Sequence, residues 1–259
     1  MSDAGEAVFL ELDRVSRCYA ATISGRTALH RALPVTTLGV RRGEWVAVTG
    51  VGTGPLTLLL CAAGLVRPDT GRVRWLDGVG REVGAPPVAI VHADAAPYDC
   101  WTVRDTLWAA APCCSFDRAE RRVALALRCC SLESVADRRV VELDRVERWR
   151  VNVAAAIAGG AGWLFLEPPS EPPPDALSTR SVASVQLMAR SLVARGVGAL
   201  VAAAAVVPFE VDRHVALATL GGEGEVSVDA AGALARVAES GGGAWERPGT
   251  GVASPLRQV

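Results

Sequence analysis

The sequence predicts an α/β fold with a mostly parallel core sheet, an antiparallel β lobe and an inserted, mostly helical lobe. Three observations predict it. The stretch "VAVTGVGTGPLTLLLCAAGL", Val46 to Leu65, reads as an apolar strand, a loop with Gly50, Gly52 and Gly54, and an apolar helix. The opening "VFLELDRVSRCYA" alternates apolar and polar residues from Val8, as a half-buried strand does. From about Tyr98 to Arg150 the pattern changes to helical spacing with many arginines.

The remaining elements follow in order. "ALHRALPVTTLGVRRGEWVAVTG" supplies two more strand segments with a turn at Arg42–Gly43. The helix after the glycine loop is predicted from about Leu56 to Ala63, with Gly64 as terminator. "RPDTGRVRWLDG" predicts a turn and a short strand, and "PPVAIVHAD" a buried strand preceded by prolines. The helical lobe rests on "TVRDTLWAAA", "DRAERRVALALRCCSL" and "DRVERWRVNVAAAIA". "WLFLE", Trp163 to Glu167, is a core strand ending in an acid. "EPPSEPPPD" after it is neither helix nor central strand, because proline fixes φ and lacks a donor. "VASVQLMARSLVARG" has the spacing of an amphipathic helix, and "GALVAAAAVV" and "HVALATL" read as strands. The expected organisation is one domain over 1–228, with core in 1–97 and 151–228 and the helical lobe in 98–150. A C-terminal helix and flexible tail are expected over 229–259.

Composition narrows the function. The chain has 259 residues, half of them hydrophobic, and a net charge of -1. That suffices for a sizeable core and leaves no basic footprint for nucleic acid. No apolar run reaches the ~18 residues that span a bilayer, and the acidic N-terminus lacks a signal pattern. A cytoplasmic location is expected. The seven cysteines include adjacent pairs, Cys113 with Cys114 and Cys129 with Cys130. Zinc sites use C-x-x-C spacing so that both sulfurs reach one ion, so reduced thiols and no metal site are expected. Of the three histidines, His30 is expected to face solvent, His92 to end a strand and His214 to begin one.

A strand, glycine loop and helix together form a phosphate cradle, and the cradle needs a lysine directly after its last glycine. Pro55 occupies that position. All 27 basic residues are arginines, so no lysine elsewhere can substitute.

The order of elements, with "GEWVAVTG", "AGLVRPDTGRV" and "TVRDTL", resembles the ATP-binding subunit of ABC transporters over about Val8 to Val228. The lipoprotein-release, macrolide-export and cell-division type is the nearest flavour. The resemblance implies a P-loop NTPase (RecA-like) core, ATP and Mg²⁺ as ligands, and hydrolysis coupled to transport. It also implies an integral membrane permease as partner, a homodimer or a heterodimer with another cassette, and a peripheral place on the inner face of the membrane.

Residue by residue, the implied motifs depart from the family. The vestigial nucleotide positions are Tyr19, Gly50, Gly52, Thr53, Gly54, Pro55, Leu56 and Thr57. The lysine becomes Pro55, which removes a charge and a backbone N–H; the magnesium-binding serine becomes Leu56. Proline is comfortable in a first helical turn, so the helix is expected to form with its anion site spoiled. Tyr19 stands where the family stacks an aromatic on adenine, with a surface tyrosine as the plainer reading. Ala93 falls at the glutamine-loop position, and the signature becomes Leu143, Asp144, Arg145, Val146 and Glu147, where Asp144 reads as a helix cap. Walker B ends at a vestigial Glu167 with Pro168 at the base position; a slip of one would put Leu166 and Glu167 there. A proline cannot polarise water. No switch histidine follows the "GALVAAAAV" strand, since His214 belongs to the start of the next one.

The resemblance with these losses implies a pseudo-ATPase that docks on a permease and pairs with another cassette. A weak ATP-binding subunit and a regulatory or scaffold protein outside transport are the alternatives. Apolar and aromatic surface near Trp101, Trp108 and Phe116 on the helical lobe favours docking over free scaffolding.

Overall fold

The computed structural model describes residues 9–23, 26–93, 95, 100–112, 115–169, 179–203, 207 and 209–217. The expected start at Val8, Cys113 and Cys114, the proline run beyond Pro169, the last strand beyond Leu217 and the 229–259 tail lie outside these residues.

The core is a five-stranded parallel sheet in the order β6-β7-β8-β3-β9. Its strands are β3 (Trp45–Thr49), β6 (Val88–Val91), β7 (Trp163–Leu166), β8 (Gly198–Ala203) and β9 (Arg213–Ala216). A four-stranded antiparallel sheet carries β1 (Phe9–Ile23), β2 (Arg26–Arg41), β4 (Thr70–Leu76) and β5 (Glu82–Val83), in the order β2-β1-β4-β5. β1 pairs with both neighbours through register shifts, between Leu12 and Val15 and again up to Cys18. Arg14 takes a positive φ there, and Gly71 sits so close that a Cβ would meet the Arg14 and Asp13 carbonyl oxygens at 2.3 Å. Such bulges bend a long strand without breaking its pairing.

Period-two side-chain alternation sends each core strand to two cores. Trp45 and Ala47, Leu164 and Leu166, Ala199 and Val201 face the helices. Val46 and Val48, Trp163 and Phe165, Leu200 and Ala202 face the antiparallel sheet and α1 (Gly54–Ala62). Both faces are covered, as parallel sheets require. Trp75 of the antiparallel sheet meets Trp163 edge-on at 5.0 Å and stacks near Phe165 at 6.5 Å, which ties the two sheets together.

The helices are α2 (Val103–Ala110), α3 (Phe116–Cys129), α4 (Arg145–Gly159) and α5 (Thr179–Val193). α5 buries Val185, Met188, Ala189 and Leu192, the one-face spacing that its sequence predicted. α4 runs through residue 150 into the core layer and stops at Gly160, whose φ of 93° only glycine adopts freely.

Two expectations are corrected. "PPVAIVHAD" reads as a buried strand, yet β6 is the sheet's edge, with Ile90 37% exposed and Val91 the buried member. Ala89 and Val91 pack on the α4 side and Val88 borders the core on the other face. The helix after the loop also begins earlier than predicted, at Gly54, because Pro55 in the first turn needs no N–H bond.

Close packing at Gly198 yields a prediction. A Cβ there would stand 2.7 Å from the buried Trp163 ring, whereas at Gly162 it would meet nothing within 4 Å. Gly198→Val is expected to cost ~1–3 kcal/mol by overpacking. Gly162→Ala is expected to stay within ~0.5 kcal/mol of the parent. Urea unfolding followed by tryptophan fluorescence compares them, and equal midpoints would refute the packing argument.

Candidate functional site

In a parallel sheet all strands end on one edge, and the loops leaving that edge form the crevice. Here β3 ends at the glycine loop, β6 at His92, β7 at Glu167 and β8 at Ala203. They enclose a cleft of about 210 Å³ lined by Gly52, Thr53, Pro55 and Leu56 from the loop, Glu167 and Pro168 after β7, and Ala202 and Ala203 of β8.

The glycine loop keeps its shape for packing. A Cβ on Gly50 would reach the Leu217 Cβ at 3.1 Å, and one on Gly54 the Ala32 carbonyl oxygen at 3.0 Å. Gly52 takes φ +75° with open space beyond it, so it serves the turn. Pro55 is buried in the first turn of α1, and the Thr57 amide donates to the Thr53 carbonyl at 2.8 Å. The helix therefore forms as predicted, while the Thr53 side chain makes no cap bond.

The donor set of this cleft does not fit a magnesium nucleotide. Pro55 offers neither charge nor N–H, Leu56 offers no oxygen, and Thr57 lies in the core at 2% exposure. Among the described residues no group of three or more potential metal ligands is present.

Glu167 and His92 lie at the ends of neighbouring strands, a link that sequence reasoning missed. His92 Nε2 stands 2.8 Å from Glu167 Oε2, an ion pair whenever the imidazole is protonated. The Glu167 amide donates to the Val91 carbonyl at 2.8 Å, which continues the β6–β7 ladder by one residue. Two strand-end residues far apart in sequence carry no local signal of adjacency. The strand pairing Val91↔Leu166 brings them together.

Tyr19 sits within β1, opposite His30, and not at a strand end. The Arg17 guanidinium stands 5.0 Å from its ring centroid, a cation–π contact. Arg17 also binds Asp69, which accepts the Cys18 amide at 2.7 Å. The Cys18 amide and the Arg17 guanidinium hold the Asp69 carboxyl below its usual range despite partial desolvation. Ala93 is buried, and His30 and His214 are exposed, the latter inside β9.

Asp144 caps α4, as predicted. Its carboxylate accepts the Glu147 amide at 2.7 Å, and the Glu147 carboxylate accepts the Asp144 amide at 3.2 Å. On the helical lobe Trp108 stacks on Phe116 at 5.0 Å, and Phe116 is 68% exposed while Trp101 is half-buried. No helix of the described residues is long and apolar enough to cross a membrane.

The parallel sheet, glycine loop and helical lobe define an ABC-type nucleotide-binding cassette. The fold matches a bacterial ABC transporter cassette solved as a dimer, with a TM-score of 0.62, 17% identity, and coverage of 80% of this chain and 94% of that one. It also matches a nucleotide-free ATP-binding cassette of an ABC transporter, with a TM-score of 0.62, 14% identity, and coverage of 82% and 88%. In sequence the chain is 33% identical over 139 residues to the taurine import ATP-binding protein of Pseudomonas aeruginosa, 51% of each chain. It is 32% identical over 162 residues to a phosphonates import ATP-binding protein of Natronomonas pharaonis, covering 57% of this chain and 68% of that one. The chain spans about half the length of the taurine-import relatives that it matches. No protein-family model matches it. The chain belongs to the family of ABC transporter ATP-binding proteins.

The cap at Asp144 can be tested. Asp144→Ala is expected to cost ~0.5–2 kcal/mol in stability, and Asp144→Ser to cost much less, because serine caps nearly as well. Thermal and urea unfolding of both variants check it; equal losses would show that Asp144 does not act as a cap.

Proposed function

We propose that this chain is a degenerate ABC ATP-binding subunit, a pseudo-ATPase that docks on an integral membrane permease and pairs with another cassette. It would lie in the cytoplasm, peripheral on the inner face of the membrane, with 1–228 as the ATP-binding domain. One observation carries the reading: the cleft at the strand ends is walled by Pro55, Leu56 and Pro168 where phosphate, metal and water activation need an ammonium, a hydroxyl and a carboxylate. The scaffold around that cleft is intact, so the residual function is structural. Phe116 stacked on Trp108 supports a docking face on the helical lobe. The vestigial positions from Gly50 to Thr57 then shape a turn and a helix, with no cofactor to hold.

Two outcomes are expected. Purified protein turns over ATP with magnesium no faster than a variant lacking the glycine loop's shape, such as Gly52→Val. Calorimetric titration finds ATP binding no tighter than about millimolar, which is ~4 kcal/mol. Micromolar binding that is lost in Tyr19→Ala would establish the weak-binder alternative. Magnesium-dependent turnover that vanishes in Glu167→Gln would refute the pseudo-ATPase outright.

A further inference from the structure

We propose that the cleft between the glycine loop and the ends of β7 and β8 receives a cation, an alkyl-guanidinium or alkyl-ammonium group, in place of a phosphate. The inference rests on the degenerate reading above and deepens it by naming the ligand chemistry. Among the described residues that line the cleft, Glu167 is the one ionisable side chain, and none is a cation. Around it stand Pro55, Leu56, Pro168, Ala202 and Ala203, which bring carbon and no side-chain donors, and Thr53, which brings one hydroxyl. A single carboxylate among walls that are apolar but for one hydroxyl is an arrangement that favours a cation carried on an alkyl stem.

Local charge agrees with this. The N-terminus of α1 carries a partial positive charge, about half a unit at most, and Pro55 removes one of its free N–H groups. The full charge of the Glu167 carboxylate outweighs it. His92 Nε2 stands 2.8 Å from Glu167 Oε2, yet that buried oxygen makes no hydrogen bond among the described residues. A guanidinium reaching that oxygen would make a charge-assisted bond with little water to compete. The volume of about 210 Å³ suits a side-chain-sized group more than a nucleotide. The group can arrive on a free amine or on an arginine of a peptide, and the chemistry at Glu167 is the same.

Calorimetry on the full chain, with agmatine, the tripeptide Gly-Arg-Gly and ATP with magnesium as separate titrants, tests the proposal. At least one of the two cationic probes is expected to bind below about 1 mM, and the tighter one identifies the source. Glu167→Gln is expected to weaken that binding about tenfold or more, as loss of one charged hydrogen bond does. Circular dichroism checks that this variant folds. Pro55→Lys, which introduces an ammonium into the same cleft, is expected to weaken the cationic probe by a similar factor. Failure of both probes, or equal affinity in Glu167→Gln, overturns the proposal. If ATP also fails to bind, the degenerate reading stands alone; if ATP binds at micromolar concentration, both fall.

Discussion

The parallel pairing of β3 with β8, from Trp45↔Ala199 to Thr49↔Ala203, is the constraint on which the molecule rests. It places the apolar strand β3 inside the sheet, between β8 and β9, with both faces buried. Its N-terminal end is anchored by polar bonds. The Trp45 amide donates to Asp212 Oδ2 at 2.7 Å, and its indole N–H donates to the Val197 carbonyl at 3.0 Å. Glu44 pairs with Arg213 at 3.0 Å beside them. A slip of one residue would turn Trp45 and Ala47 towards the antiparallel sheet and Val46 and Val48 towards the helices. The two cores could not accommodate that exchange, since Trp45 packs edge-on against Phe209 in one and α1 fills the other.

With that register set, the position of the cleft follows. Parallel strands deliver the glycine loop, His92, Glu167 and Ala203 to the same edge whatever those residues are. The scaffold's stability lies in the strands and helices, and the chemistry lies in a few side chains after them. Substituting proline and leucine at Pro55 and Leu56 therefore leaves α1 standing, since the first turn tolerates proline and Leu58, Leu59 and Cys61 still pack inwards.

The same logic applies to the helical lobe. Asp144 and Glu147 hold the start of α4 through reciprocal backbone bonds. Arg150, almost fully buried, donates to the Cys130 and Ser131 carbonyls at 3.3 and 3.4 Å and closes the C-terminal end of α3. Desolvation lowers its pKa, partly opposed by the nearby Glu147 and Asp144. Cys130 beside it is fully buried, which raises its thiol pKa far above the ordinary range and keeps it an inert packing group.

Local order was legible from sequence because its causes are local. The strand–loop–helix at Val46 to Leu65, the period of α5, the cap at Asp144 and the stop at Gly64 each depend on residues a few positions apart. That Pro55 brings no charge and no N–H, and Leu56 and Pro168 no side-chain oxygen, was legible for the same reason: it is a property of the residue itself. Other features were settled only by tertiary structure. The edge position of β6 depends on which strand lies beyond it, and an apolar run reads alike at an edge or a centre. Arg17 reaches the Tyr19 ring from the same face of β1, an i, i+2 relation that a strand permits but does not require. The meeting of His92 with Glu167 required β6 and β7 to pair in one particular register. Side-chain identity sets what a residue can do, and strand order sets which other residue it does it with.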